Sequence, residues 1–225
     1  MRTKWLLVLI TIGVAISALP ASASAGVWHL EPSSDFTGTG GETRLTDTLG
    51  AMVCTSATAA GVYATPTTGF ISLHLHGCKS GGANCTSKNE PTGTVSTAAL
   101  PFENILLEAN PQTAGILIKP GIVDNMPAAG EGLFTEFICG LTPTAVRGNG
   151  LLGDITGPKC GESGKVLTVE YTSSVQGTQR WLQITTTGTK YDLTSKTGMA
   201  GYMTSSIDGV LTLNLEKEGK VNCTT

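Results

Sequence analysis

His74-Leu75-His76 is the pair of side chains in this 225-residue sequence whose spacing best suits metal chemistry. On a strand, residues two apart leave the same face ~6.8 Å from one another, so both imidazoles could reach one ion. A transition metal asks for a third or fourth ligand. The remaining histidine is His29, with Glu31 and Asp35 as the nearest acids in sequence. The simpler reading makes His74 and His76 the polar face of a strand whose other face is Ile71, Leu73 and Leu75. We adopt it, keep His74 and His76 as the metal candidates, and expect no cofactor.

Gly161-Glu162-Ser163-Gly164 resembles the serine turn of chymotrypsin-like proteases, and His76, Asp124 and Ser163 follow that family's order. Lys165 stands where a second glycine usually follows, and His76 lacks the Ala-Ala-His-Cys context. Such a turn is common in a chain rich in Gly and Ser, so no catalytic residue is assigned. Paired carboxylates for glycoside hydrolysis would come from Glu103, Glu108, Glu131 and Glu136. Five positions apart on one strand, Glu103 and Glu108 should face opposite sides. Asp124, Asn125 and Glu131 match no calcium-loop spacing, and Gly148-Asn149-Gly150 sits at an expected hairpin turn and opens no phosphate-binding helix. Trp28 and Trp181 are few aromatics for a sugar platform.

Residues 1–25 read as a secretory signal peptide: a positive start with Arg2 and Lys4, an apolar stretch over 5–19, and Ala23-Ser24-Ala25 before Gly26. The apolar stretch is shorter than the ~20 residues that span a bilayer. The expected product is a single all-β domain over 26–225, secreted and without a transmembrane anchor after cleavage. Cys54, Cys78, Cys85, Cys139, Cys160 and Cys223 then lie in an oxidising compartment and read as three disulfides. Cys139 and Cys160 bracket an apparent hairpin turning at 147–150, and we favour that pair. Cys54 and Cys78 bracket another, turning at 65–69, in competition with a local Cys78–Cys85 bridge. That choice would leave Cys223 to Cys85 or to Cys54. No cysteine pair has zinc-ligand spacing.

The chain holds 34 Thr, 16 Ser and 29 Gly, a bias that suits strands and turns and excludes a helical bundle. Without Arg2 and Lys4, 12 basic residues face 17 acidic ones, and no run of Lys or Arg remains. The footprint for nucleic acid or an anionic lipid surface is therefore missing from the sequence. Period-two alternation marks strands over 69–77, 167–172 and 211–215. Further strands are expected over 43–48, 51–57, 92–98, 102–108, 115–119, 133–139, 151–156, 179–187 and 220–224. A dozen short strands with tight turns describe an antiparallel β-sandwich or β-barrel, stapled by disulfides. The stretch from Cys54 to Cys78 echoes that from Cys139 to Cys160, as an internal duplication would.

The segment from Gly77-Cys78 to Asn84-Cys85-Thr86-Ser87, with Leu100-Pro101-Phe102, Phe137-Ile138-Cys139 and the run from Gly148 to Thr156, resembles the uncharacterised small secreted β proteins of actinobacteria. That resemblance implies an exported β fold and no ligand. The expected function is a non-enzymatic extracellular or cell-envelope binding or structural module, its partner an unspecified envelope component. The alternative is a secreted hydrolase using Ser163 or a metal at His74 and His76.

Overall fold

Alternating polarity and small residues make this chain a succession of strands, and no helix occurs among the described residues. The computed structural model describes residues 27–31, 34–109, 111–121, 132–173 and 190–224. The leader expected over 1–25, the strand expected over 179–187, Asp124, Asn125, Glu131 and Trp181 lie outside them. In chain order the strands are β1 (Val27–Glu31), β2 (Asp35–Gly40), β3 (Thr43–Asp47), β4 (Gly50–Cys54), β5 (Ser56–Tyr63), β6 (Thr68–His76), β7 (Lys79–Ser80), β8 (Ala83–Thr86) and β9 (Val95–Ser96). There follow β10 (Leu100–Ala109), β11 (Gln112–Ile118), β12 (Gly132–Cys139), β13 (Thr142–Gly148), β14 (Leu151–Gly157), β15 (Ser163–Tyr171), β16 (Leu193–Thr197), β17 (Met203–Thr204) and β18 (Ser206–Thr224).

Eight of them close an antiparallel barrel in the order β2-β5-β6-β10-β11-β14-β15-β18, with β18 returning to β2. Of the two expected architectures, this is the barrel. The inward faces are those the alternation marks: Ile71, Leu167, Val169, Tyr171, Leu211 and Leu213 are buried, and all join one core. Leu73 and Leu75 pack against it from partly buried positions. Extra strands continue the barrel at one end as a second circuit, β3-β4-β7-β8-β12-β13-β16-β17. It is completed where β17 runs through Ser205 into β18, whose first residues pair with β3. Leu45, Met52, Phe137 and Val146 of this circuit belong to the same core.

At the other end β1 crosses the barrel mouth. It pairs with the end of β18, the Trp28 Nε1–H donates to the Gly115 carbonyl at 2.7 Å, and the Leu30 N–H donates to the Pro66 carbonyl. Trp28 and Leu30 are fully buried there. Above them Phe36, Tyr63 and Phe102 meet edge to face, with ring centroids 4.9–6.0 Å apart. Those rings lie over Gly61 and Gly69: a Cβ on Gly61 would stand 2.2 Å from Phe36 and one on Gly69 2.6 Å from Phe102. The buried Tyr63 hydroxyl donates to Asn104 Oδ1, and Asn104 Nδ2–H donates to the Pro66 carbonyl. Burial holds the Tyr63 and Tyr171 phenols well above the ordinary tyrosine range.

All six cysteines are paired, as Cys54–Cys78, Cys85–Cys139 and Cys160–Cys223. The first brackets the β5–β6 hairpin and is one of the two bonds open to Cys78; the competing local Cys78–Cys85 bridge does not form. The expected Cys139–Cys160 bond does not form, because residues 147–150 are not a hairpin turn. β13 pairs with β12 and β16 in the second circuit, while β14 pairs with β11 and β15 in the barrel. The chain changes circuit at Gly148-Asn149-Gly150 and carries the two cysteines apart. Cys223 therefore meets neither Cys85 nor Cys54; it sits opposite Trp28 and ties the end of β18 to the β14–β15 loop. The stretches that echo one another in sequence are accordingly not equivalent in pairing. The segments expected over 211–215 and 220–224 are parts of one strand, β18, and the strand expected over 92–98 shortens to β9.

Candidate functional site

Strand parity sets His74 and His76 on the outer face of β6, and each has its own neighbour. His76 Nε2 lies 3.1 Å from Thr58 Oγ1, and His74 Nδ1 lies 3.7 Å from Glu90 Oε1. His29 is on β1 across the far mouth, opposite Asn222, and Asp35 is exposed at the start of β2. No group of three or more His, Cys, Asp or Glu side chains is placed to hold a metal ion among the described residues.

Ser163 opens β15 opposite Lys220, exposed. β6 and β15 stand four strands apart around an eight-stranded ring, and Ser163 is near the β1 end whereas His76 is near the second circuit. The barrel itself thus separates the two side chains. Of the carboxylates, Glu103 pairs with Lys119 Nζ. A bulge between Leu106 and Glu108 puts Glu103 opposite Leu117 and Glu108 opposite Thr113. Leu117 and Thr113 share a face, so Glu103 and Glu108 do too, against the expectation from spacing alone. Four partner positions separate them by roughly 13 Å, beyond the reach of a glycosidase pair.

A broad concavity among the described residues lies elsewhere, on the outer face of the second circuit. It is an open groove of about 1180 Å³ floored by β8, β12, β13 and β16. On β12, Phe137 faces the core while Glu136 and Ile138 face out. On β13, Thr144 and Val146 are buried while Pro143 and Ala145 open to the groove. The residues from Ser87 to Thr92 form one wall, and their backbone is fixed by internal bonds. The Ser87 N–H donates to the Thr94 carbonyl, the Gly93 N–H to Thr86 Oγ1, and Ser87 Oγ–H to the Glu136 carbonyl at 2.7 Å. Asn89 takes a positive φ of 66° at the tip of this wall, a conformation asparagine tolerates.

Tyr202 marks the opposite side of the groove. The Arg147 guanidinium stands 5.2 Å from its ring centroid and the Lys196 ammonium 5.9 Å, so two cations fix an aromatic ring that remains 41% exposed. Around it are the amides of Asn84 and Asn89, the hydroxyls of Thr86 and Thr92, Lys88, Glu90 and Glu136. Charges of both signs, amides and one aromatic face can hold a polar chain along its length. Tyr202 lies within a local hairpin and carries no mark of a site in the sequence, because the groove beside it is assembled by the β8–β12 and β13–β16 pairings between segments distant in sequence. Glu136, a candidate carboxylate for glycoside hydrolysis in the sequence, lies on the groove floor.

No helix among the described residues is long and apolar enough to cross a membrane. Three disulfides accord with an oxidising, extracellular setting. Comparison with protein-family models, with curated proteins and with solved structures gives no match.

Proposed function

We propose that this is a secreted, non-catalytic binding module that takes an extended polar segment of an extracellular or envelope component into the groove on β8, β12, β13 and β16. The observation that carries the reading is the ring of Tyr202, held exposed by Arg147 and Lys196 at the side of an open polar trough. A preset aromatic face loses little conformational entropy on binding, which is how Tyr comes to dominate recognition surfaces. Backing supports the same reading. The Cys85–Cys139 bond joins directly opposed residues of β8 and β12 at the edge of the groove floor, so the contact surface is built on rigid elements. The signal-peptide pattern over residues 1–25 and the three disulfides support an extracellular setting for such a module.

The test is co-sedimentation of the natively secreted protein with the insoluble envelope fraction of the producing cells, against the Y202A variant. Retention of the wild type and loss of at least about tenfold in Y202A is expected for a truncated aromatic hot spot. Equal retention of both would reject the groove.

A further inference from the structure

Four turns of the second circuit come together at the end of the molecule farthest from β1: 48–49, 81–82, 140–141 and 198–200. Bonds between neighbouring hairpins fix their association. The Gly140 N–H donates to the Asn84 carbonyl, the Gly198 N–H to the Pro143 carbonyl, and Thr48 Oγ1 lies 2.8 Å from Met203 Sδ. Three of the four tips carry a large apolar side chain aimed at solvent: Leu49 is 61% exposed, Leu141 98% and Met199 104%. These are the three most exposed large apolar residues among those described, and the fold gathers them at one end. Core packing does not explain side chains that touch so little.

From these tips we infer that the crown of turns docks on a lipid bilayer, with Leu49, Leu141 and Met199 entering the apolar boundary. Leu49, Leu141 and Met199 stand as three spikes on separate turns, divided in sequence by Gly50, Gly81, Gly82, Gly140 and Gly198. A bilayer accepts such side chains one by one. The polarity behind the tips follows the depth profile of a membrane interface, where aromatic residues lie at the headgroup level and basic ones near the phosphates. Tyr202 lies two residues beyond the 198–200 turn, Lys196 two residues before Gly198, and Lys79 two before Gly81. The one ionisable residue flanking a tip directly is Asp47, and its carboxylate is engaged by the Leu49 and Gly50 N–H groups and by Ser195 Oγ–H. Glu136 stands four residues behind its turn, farther back than the lysines.

This surface is distinct from the groove floor, so its test avoids Tyr202. The protein purified in its natural form would be floated with vesicles of mixed phosphatidylcholine and phosphatidylglycerol, and with phosphatidylcholine alone. The wild type should rise with the mixed vesicles, and L141S/M199S should lose at least about tenfold in partition, since each tip buries most of a side chain. K79Q, which lies outside the groove, should weaken the preference for the anionic vesicles while melting as the wild type does. Failure of the wild type to rise, or flotation of L141S/M199S equal to it, would overturn the inference. Retention by an envelope protein without vesicle binding would do so as well.

Discussion

Cys85 and Cys139 face one another as directly opposed residues of β8 and β12, and the disulfide between them fastens two strands that are 54 positions apart in sequence. Those strands floor the groove, so the bond links stability to the proposed contact surface. Closing a loop of this length is worth ~4 kcal/mol by chain entropy. The double variant Cys85→Ala/Cys139→Ala should lose a large part of that in chemical denaturation, with the other two bonds intact. An unchanged denaturation midpoint would show that the pairing ladder alone fixes β8 to β12.

The pairing itself is open to a direct check. Non-reducing proteolytic mapping should recover fragments joined as Cys54–Cys78, Cys85–Cys139 and Cys160–Cys223. A fragment joining Cys139 to Cys160 would mean that β13 and β14 form a hairpin after all, and would undo the two-circuit topology.

Gly61 supports the Phe36 ring at a distance no side chain could share, whereas Gly41 has open space where its Cβ would go. Gly61→Ala should therefore cost about 2–3 kcal/mol or prevent folding, by overpacking a core that cannot yield. Gly41→Ala should stay within about 0.5 kcal/mol of the parent. Equal effects at the two positions would contradict the packing of Phe36 over β5.

Strand identity was legible where apolar and polar residues alternate strictly. Ile71, Leu73 and Leu75 oppose His74 and His76 on β6, and Leu211, Leu213 and Leu215 line the barrel as their spacing predicts. β2, of sequence Asp-Phe-Thr-Gly-Thr-Gly, shows no such alternation, because two of its inward places hold glycines that make room for Leu213, Ala59 and Ala57. Pairing between distant strands leaves no local mark at all. Gly148-Asn149-Gly150 has the composition of a hairpin turn, yet it serves as a crossing between circuits, and the cysteine pairing follows the crossing. The groove and the crown are products of that long-range pairing, and for the same reason lysines scattered along the sequence reach one end of the molecule.

Tyr63 and Tyr171 are buried as neutral phenols, their pKa values raised from an ordinary 10.0 chiefly by desolvation. In the unfolded chain both release their protons near that ordinary value. The stability they confer is thus complete below about pH 10 and declines as pH rises from there toward the raised folded values, by up to about 1.4 kcal/mol per pH unit for each phenol. Denaturant titrations at rising alkaline pH should show this decline, and Tyr171→Phe should remove about half of it. A stability independent of pH above 10 would contradict the burial of both hydroxyls.

Binding through the Tyr202 groove is most directly measured by titrating soluble fragments of the envelope fraction into wild-type and Tyr202→Ala protein of equal melting temperature. A Kd at least about tenfold weaker for the variant is predicted, as the aromatic face held by Arg147 and Lys196 is lost. Identical affinities for the two proteins would contradict the proposed site.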